Sequence, residues 1–364
     1  MRNWTWWIAM GLATAGLAAC TDGGGTDSSS DADTDADTDS DTDTDTDTDS
    51  HCPDGVCILS GTILDDTTLT AENLYLLRGG VFVGNDADET VLTIEPGTQI
   101  YGETSTDGML VIRRHSKLIA EGTAEAPIVF TSSKSPGSRA RGDWGGLILN
   151  GLAPINRCAD VEGDCQAFGE GGTGWYGGGD PADDSGSLKY VRVEFAGTLI
   201  SPDNELNGIA FQGVGSGTTV DYVQVHMNDD DGVEFFGGTV NAKHVLVTGV
   251  GDDGIDWTDG WIGKLQYAVV QQFDDTSDNG IEADNQDLDN TALPRSSPTL
   301  SNVTLVVPRG GGQGRRRSRR GVGPEARRLH RQLSRPILLR RRSRAAGRAG
   351  EPGDGHACVR WDAR

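Results

Sequence analysis

The sequence predicts an all-β protein wound as a parallel β-helix. Two sets of short strand-like segments recur at a spacing of about two dozen residues, and each set keeps one apolar face. The chain also carries 52 Gly among 364 residues and only 6% aromatics, which suits a turn-rich β fold better than a helix bundle.

The first set is "YVRV" at Tyr190, "YVQV" at Tyr222, "HVLV" at His244, "YAVV" at Tyr267 and "NVTL" at Asn302. Second and fourth positions are apolar in all five: Val191 and Val193, Val223 and Val225, Val245 and Val247, Ala268 and Val270, Val303 and Leu305. That is the period-two pattern of a strand with one buried face. The second set aligns on glycine: "GIAF" at Gly208, "GVEF" at Gly232, "GIDW" at Gly254 and "GIEA" at Gly280, spaced 24, 22 and 26 residues apart. Here Ile209, Val233, Ile255 and Ile281 point inward, as do Phe211, Phe235, Trp257 and Ala283. Two strand sets per repeat, with room for a short third, describe one coil, stacked about 4.8 Å from the next.

The N-terminal half reads the same way, less regularly. "VLTIEPGTQIYG", "MLVIRRHSKLIAEG", "PIVFTS" and "WGGLILNG" are strands with glycine corners. A β-sandwich is the rival, and in-register repeats of this length are not a sandwich feature.

"LTIEPGTQIYG", "KLIAEGTAEAPIVFTS", "GDWGGLILNGLAPIN", "LKYVRVEFAG" and the long stretch from "NDDDGVEFFGG" to "LQYAVV" resemble a family of bacterial outer-membrane lipoproteins. Spirochaetes, myxobacteria and Bacteroidetes carry its members. The resemblance runs from about Ser60 to Val307. It implies a right-handed, single-stranded, pectin-lyase-like β-helix in the cell envelope, and it brings no defined activity. The sequence departs from the family after Pro308, where further coils and a cap are expected.

Both ends of the chain fall outside this pattern. Residues 1–20 read as a signal peptide, with one cation, an apolar run and small residues at its close. "LAAC" resembles the bacterial lipobox, so Cys20 is expected to carry lipid, and several acyl chains anchor stably where one does not. Thr21, which is not an acid, favours the outer membrane over the inner. An ordinary cleaved signal is the alternative. Residues 21–50 hold twelve Asp and no Lys or Arg, which predicts a disordered, self-repelling tether reaching at most about 100 Å. Residues 51–308 form the β-helix domain. Residues 309–364 hold seventeen Arg, no Lys and four acids. They read as a disordered basic tail, or as the product of a reading frame shifted near codon 308.

Residues 51–308 contain 39 acids and 13 basic residues, so nucleic acid is an unsuitable partner. Within them, acids gather at each glycine of the second set: Asp230 and Asp231, Asp252 and Asp253, then Asp278 with Asn279. Two residues after each glycine stand Ala210, Glu234, Asp256 and Glu282, facing opposite to the inward Ile or Val. The repeat therefore predicts outward columns of carboxylates across three coils. Like charges about 5 Å apart repel by roughly 3 kcal/mol at an effective dielectric of about 20. A hard cation relieves this, and carboxylates with backbone carbonyls suit calcium. The bland alternative is that Asp and Asn cap turns through backbone N–H groups. A third is catalysis by paired carboxylates, as in a polysaccharide hydrolase, or by calcium with a basic residue, as in a lyase. Arg192, Lys243 and Lys264 are the nearby bases, and none is placed by the pattern. Of the aromatics beside the acids, Trp257 is core by alignment and Trp261 is the candidate sugar contact.

Five cysteines remain after Cys20. Cys52 with Cys57, and Cys158 with Cys165, are expected to form short-range disulfides in an oxidising envelope. Cys358 is left over. The expectation is a monomer in a structural, adhesive or polysaccharide-binding role, with a polysaccharide lyase or glycoside hydrolase as the alternative.

Overall fold

The computed structural model describes residue 52 and residues 55–159, 163–201 and 204–306. The calls on the signal peptide, Cys20, the tether, the Arg-rich tail and Cys358 lie outside the described residues. In chain order the strands begin with β1 (Val56–Ile63), β2 (Thr67–Leu69), β3 (Leu74–Val83), β4 (Val91–Ile94), β5 (Gln99–Gly102), β6 (Met109–Ile112) and β7 (Lys117–Glu121). They continue with β8 (Ile128–Ser132), β9 (Gly146–Asn150), β10 (Ala167–Phe168), β11 (Trp175–Tyr176), β12 (Gly186–Glu194), β13 (Leu199–Ser201) and β14 (Asn204–Glu205). The last are β15 (Ile209–Gln212), β16 (Thr219–His226), β17 (Val233–Phe236), β18 (Asn241–Thr248), β19 (Ile255–Thr258), β20 (Lys264–Gln271) and β21 (Thr299–Val306). Among the described residues, helix is confined to short 3-10 turns, and no helix is long and apolar enough to cross a membrane.

Seventeen strands join in one continuous sheet whose pairings are parallel. Parallel strands cannot be joined by a tight hairpin, so each must be reached by a crossover, here one coil of chain. Three ladders result. The first runs β2–β4–β7 into the start of β12, and the second runs β1–β3–β5–β8 into its end. From β12 onward both ladders are carried by the same long strands, β12–β16–β18–β20–β21. The third ladder runs from the end of β3 through β6–β9–β15–β17–β19.

The long strands are bent at one residue each: Tyr190 (φ 50°), Tyr222 (φ 54°), His244 (φ 49°), Tyr267 (φ 61°) and Asn302 (φ 57°). A left-handed conformation costs a non-glycine residue roughly 1–2 kcal/mol. Ring stacking offsets that cost. Tyr190 lies on Tyr222 at 4.5 Å, Tyr222 on His244 at 4.3 Å and His244 on Tyr267 at 5.1 Å, all nearly parallel. Period-two reading finds the strands but not the bend that turns one strand into two sheets.

Inside the coil, like residues stack on like. Ile209, Val233 and Ile255 form one buried file, and Phe211, Phe235 and Trp257 form another, as the glycine alignment predicts. Ile281 and Ala283 pack at the end of these files, partly buried. The recurrent glycine has a packing reason. A Cβ at Gly232 would sit 2.4 Å from a Val247 methyl and 2.5 Å from the Gly254 carbonyl oxygen. Gly254 meets Val270 and Gly280 in the same way.

A second, smaller core lies outside the coil. Val111, Ile148 and Ala210, on the outer side of the third ladder, pack with Met109, Ile155, Ala167, Tyr176 and Leu206. The covering residues come from the long connection between β9 and β12 and from the β13–β14 hairpin. Disulfide Cys158–Cys165 closes a short loop in that connection, and Cys52–Cys57 ties the start of β1, both as expected.

Candidate functional site

The third ladder builds the site, because its outer side changes character along the stack. Pairing in register places Val111, Ile148, Ala210, Glu234 and Asp256 in one file. The bridge Ile255–Ile281 carries the file on to Glu282. The file is thus apolar over the first coils and acidic over the last three.

The turn entering this ladder adds two more files. Asn207, Asp231, Asp253 and Asn279 stack directly before the glycines, with Gly208 N–H donating to the Asp231 carbonyl and Gly232 N–H to the Asp253 carbonyl, at 3.0 and 2.9 Å. One residue earlier, Asp230, Asp252 and Asp278 stack with the bonds running the other way, the Asp278 N–H donating to the Asp252 carbonyl at 3.0 Å. Carboxylate oxygens come within 4.8 Å of one another in three groups: Asp230, Asp231 and Asp252; Asp231, Glu234 and Asp256; Asp252, Asp253 and Asp278. Seven of the eight acids singled out in the sequence belong to these groups, and the eighth, Glu282, follows Asp256 in the file and bonds with Asp253.

Their exposure is uneven along the columns. Asp231, Glu234 and Asp253 are buried, at 8%, 7% and 1% exposure, while Asp278 and Glu282 are exposed. The cause is a roof that no repeat announces. Residues 169–173, 197–201 and 204–207 lie over the ladder, tied down by Asn150 Nδ2 donating to the Thr173 carbonyl and by Gly197 N–H donating to the Gly145 carbonyl. The patch is closed over Glu234 and open toward Glu282.

Burial without an opposite charge favours the neutral acid. Loss of hydration is the first cause at every buried member, and neighbouring carboxylates add to it. Asp256 is pushed up to about 7 by burial and then by Glu282. Asp230 reaches about 8 through burial and Asp252. Asp253 reaches about 10 through burial and a hydrogen bond with Glu282. Asp231 and Glu234 lie well above the usual carboxylate range through burial and then Asp256. Metal-free, the patch holds protons at neutral pH.

Two members also cap backbone. Asp231 Oδ1 accepts from the Asp253 N–H at 2.9 Å, and Asp253 Oδ1 accepts from the Asn279 N–H. Each corner acid thus secures the next coil, which is the turn-capping role weighed for them. Asn207, next in that file, donates instead through Nδ2 to Glu234 Oε2 at 2.6 Å, and its buried Oδ1 has no hydrogen-bond partner. An amide oxygen beside carboxylates adds a further ligand suited to a hard cation.

Sequence reasoning missed a neighbouring group. Asp259, fully buried, accepts from Arg157 Nε at 3.1 Å and from the Tyr176 hydroxyl at 2.8 Å. Burial raises the Asp259 carboxyl, and Arg157 and Tyr176 oppose that rise. Arg157 also reaches Asp287 at 2.7 Å. Arg157 and Tyr176 sit in the non-repeating connection, so no periodic signal marks them, whereas Asn207 was readable as the residue before Gly208.

Trp261 requires a correction. It is fully buried, stacked on Phe235 at 4.0 Å, with Nε1 donating to the Val240 carbonyl. The turn after β19 folds it back into the coil, so no sugar can stack on it. Trp257 is core as expected, at 2% exposure. Arg192, Lys243 and Lys264 lie on the long strands of the other ladders, and Arg192 pairs with Glu194.

A family model described as the pectate-lyase-like β-helix domain matches residues 61–326. The chain belongs to that family. The span matched to the pectate-lyase-like domain begins at β1 and continues past Pro308, beyond the point where the sequence turns Arg-rich. Comparison with curated proteins and with solved structures gave no match. Membership of the pectate-lyase-like family fits a polysaccharide-related or structural role.

Proposed function

We propose that this protein is a lipid-anchored β-helix of the outer membrane with a structural or adhesive role, that it binds polysaccharide, and that its acid columns hold calcium. The observation that carries the calcium reading is the in-register stack of carboxylates under a roof. Such a stack must take up either protons or a cation, and its ligand atoms are all oxygens, which suits calcium. The lipobox-like "LAAC" ending at Cys20 supports the anchor, and the acidic segment 21–50 would serve as its tether. Catalysis is the weaker reading, because its candidate bases, Arg192, Lys243 and Lys264, lie on the long strands of the other ladders.

Calorimetric melting with calcium and with a chelator tests the site. A ligand at a hundred times its Kd stabilises by about 2.7 kcal/mol, so a clear rise in Tm is expected and an unchanged Tm refutes calcium binding. Incubation with acidic polysaccharides, followed by assay for reducing ends or unsaturated products, is expected to show none. Products that vanish in Asp253→Asn would replace this reading with an enzymatic one.

A further inference from the structure

The β10–β11 hairpin beside that roof has two faces of opposite character. Its inner face carries Ala167 and Tyr176, both buried in the second core. Its outer face carries Phe168 and Trp175, which oppose each other across the β10–β11 pairing and meet edge to face at 5.4 Å. Phe168 is 56% exposed, although nothing in strand geometry requires a large aromatic there. Beside this hairpin lies β13–β14, with Leu199 and Ile200 also exposed. The two hairpins touch: a Cβ at Gly171 would sit 3.5 Å from Ile200, and Gly171 N–H donates to Asn204 Oδ1 at 2.7 Å. Glu170 follows Phe168 by two residues, and Glu205 pairs with Leu199, so carboxylates flank the apolar surface.

We propose that this outer face is the polysaccharide-binding surface and that its occupant is an uncharged pyranose chain. This rests on the polysaccharide reading above and names the site and the sugar class. Aromatic rings offer a flat apolar face to the C–H side of a pyranose. Carboxylates and the Asn204 amide at the rim accept hydrogen bonds from hydroxyls. Glu205 and the acidic domain around it, with 39 acids against 13 basic residues over 51–308, repel uronate groups, because like charges placed across an interface are costly. A uronic acid chain is therefore disfavoured here, and a neutral hexose or N-acetylhexosamine chain fits.

The experiment uses the full chain with cellohexaose, N-acetylchitohexaose and hexagalacturonate as probes in titration calorimetry. Tryptophan emission is followed in parallel. Trp144, Trp257 and Trp261 are buried, so Trp175 is the solvent-touching tryptophan among the described residues. A neutral hexasaccharide is expected to bind and to shift that emission. Trp175→Ala should weaken binding by about tenfold, the scale of one lost aromatic contact of about 1.4 kcal/mol. Trp175→Phe should keep most of the affinity and lose the emission shift. Both variants change an exposed ring, and an unchanged Tm confirms that they fold. Binding that is equal in Trp175→Ala overturns this surface and leaves the polysaccharide reading standing. A preference for hexagalacturonate overturns the sugar class. No binding of any probe overturns both. Vesicles of phosphatidylethanolamine and phosphatidylglycerol form a control arm, and capture by them that is lost in Trp175→Ala assigns the face to membrane instead.

Discussion

Raising the pH should destabilise the metal-free protein, and Asp256 alone gives a lower bound on the effect, since Asp230 and Asp253 are raised further. Its carboxyl titrates at about 7 in the folded protein against an ordinary value of 3.8. At pH values below about 4 the acid is protonated in both states, and its contribution to stability is fully present. Between about 4 and 7 the unfolded chain has lost the proton and the folded chain keeps it. The folded state then binds more protons, so stability falls as pH rises, by about 1.4 kcal/mol per pH unit, and the fall levels off above the folded value. Between pH 5 and pH 7 two such units apply, a loss on the order of 3 kcal/mol from this one group. For a domain of this size each kcal/mol moves Tm by about 2–4 °C, so the drop is on the order of 10 °C. The assay is scanning calorimetry in chelator at pH 5 and pH 8. Asp256→Asn removes the titrating group and should shorten the drop, and calcium should abolish it in the unmodified protein. A Tm that is flat or rising from pH 5 to pH 8 in chelator would refute the reasoning, because the columns would then be ionised without penalty.

Two further outcomes follow from the geometry. Trp261→Ala should cost about 3–5 kcal/mol in denaturant unfolding, since the ring is fully buried on Phe235, and it should leave the affinity for neutral hexasaccharides unchanged; a stable variant with lost sugar binding would restore Trp261 as a contact. In chelator at pH 7, Asp253→Asn should fall within about 1 kcal/mol of the parent, because the amide oxygen still accepts the Asn279 N–H, whereas Asp253→Ala should lose about 1–3 kcal/mol; equal losses would refute the capping role.

The coil was legible because a parallel β-helix copies one-dimensional spacing into vertical contact. Val191, Val223, Val245 and Ala268 stand in one ladder because each occupies the same place in its repeat. The file Glu234–Asp256–Glu282 was legible for the same reason. Two things were not. The left-handed bend at Tyr190, Tyr222, His244 and Tyr267 is a backbone choice sustained by stacking between coils, and the aromatics there read as ordinary outward residues. The roof comes from segments that occur once, so no period exposes it, and the turn that folds Trp261 back into the coil lies outside the aligned strands.

The position of the acids along the stack follows from that roof. Over Val111, Ile148 and Ala210 the covering residues are apolar, and an outward apolar side chain there gains burial in the second core. At Glu234 the cover supplies an amide, Asn207, in place of a hydrocarbon. By Glu282 the cover has ended and the carboxylate is exposed. The file therefore passes from dry, through polar and enclosed, to wet. Only the middle zone combines enclosure with an open side, which is what a cation needs in order both to enter and to be held. Acids placed one coil earlier would sit against Ile155 and Leu206 with no oxygen partner, and acids placed only at the open end would be relieved by water alone. The junction between the second core and solvent thus selects Asp231, Glu234 and Asp256 as the centre of the patch.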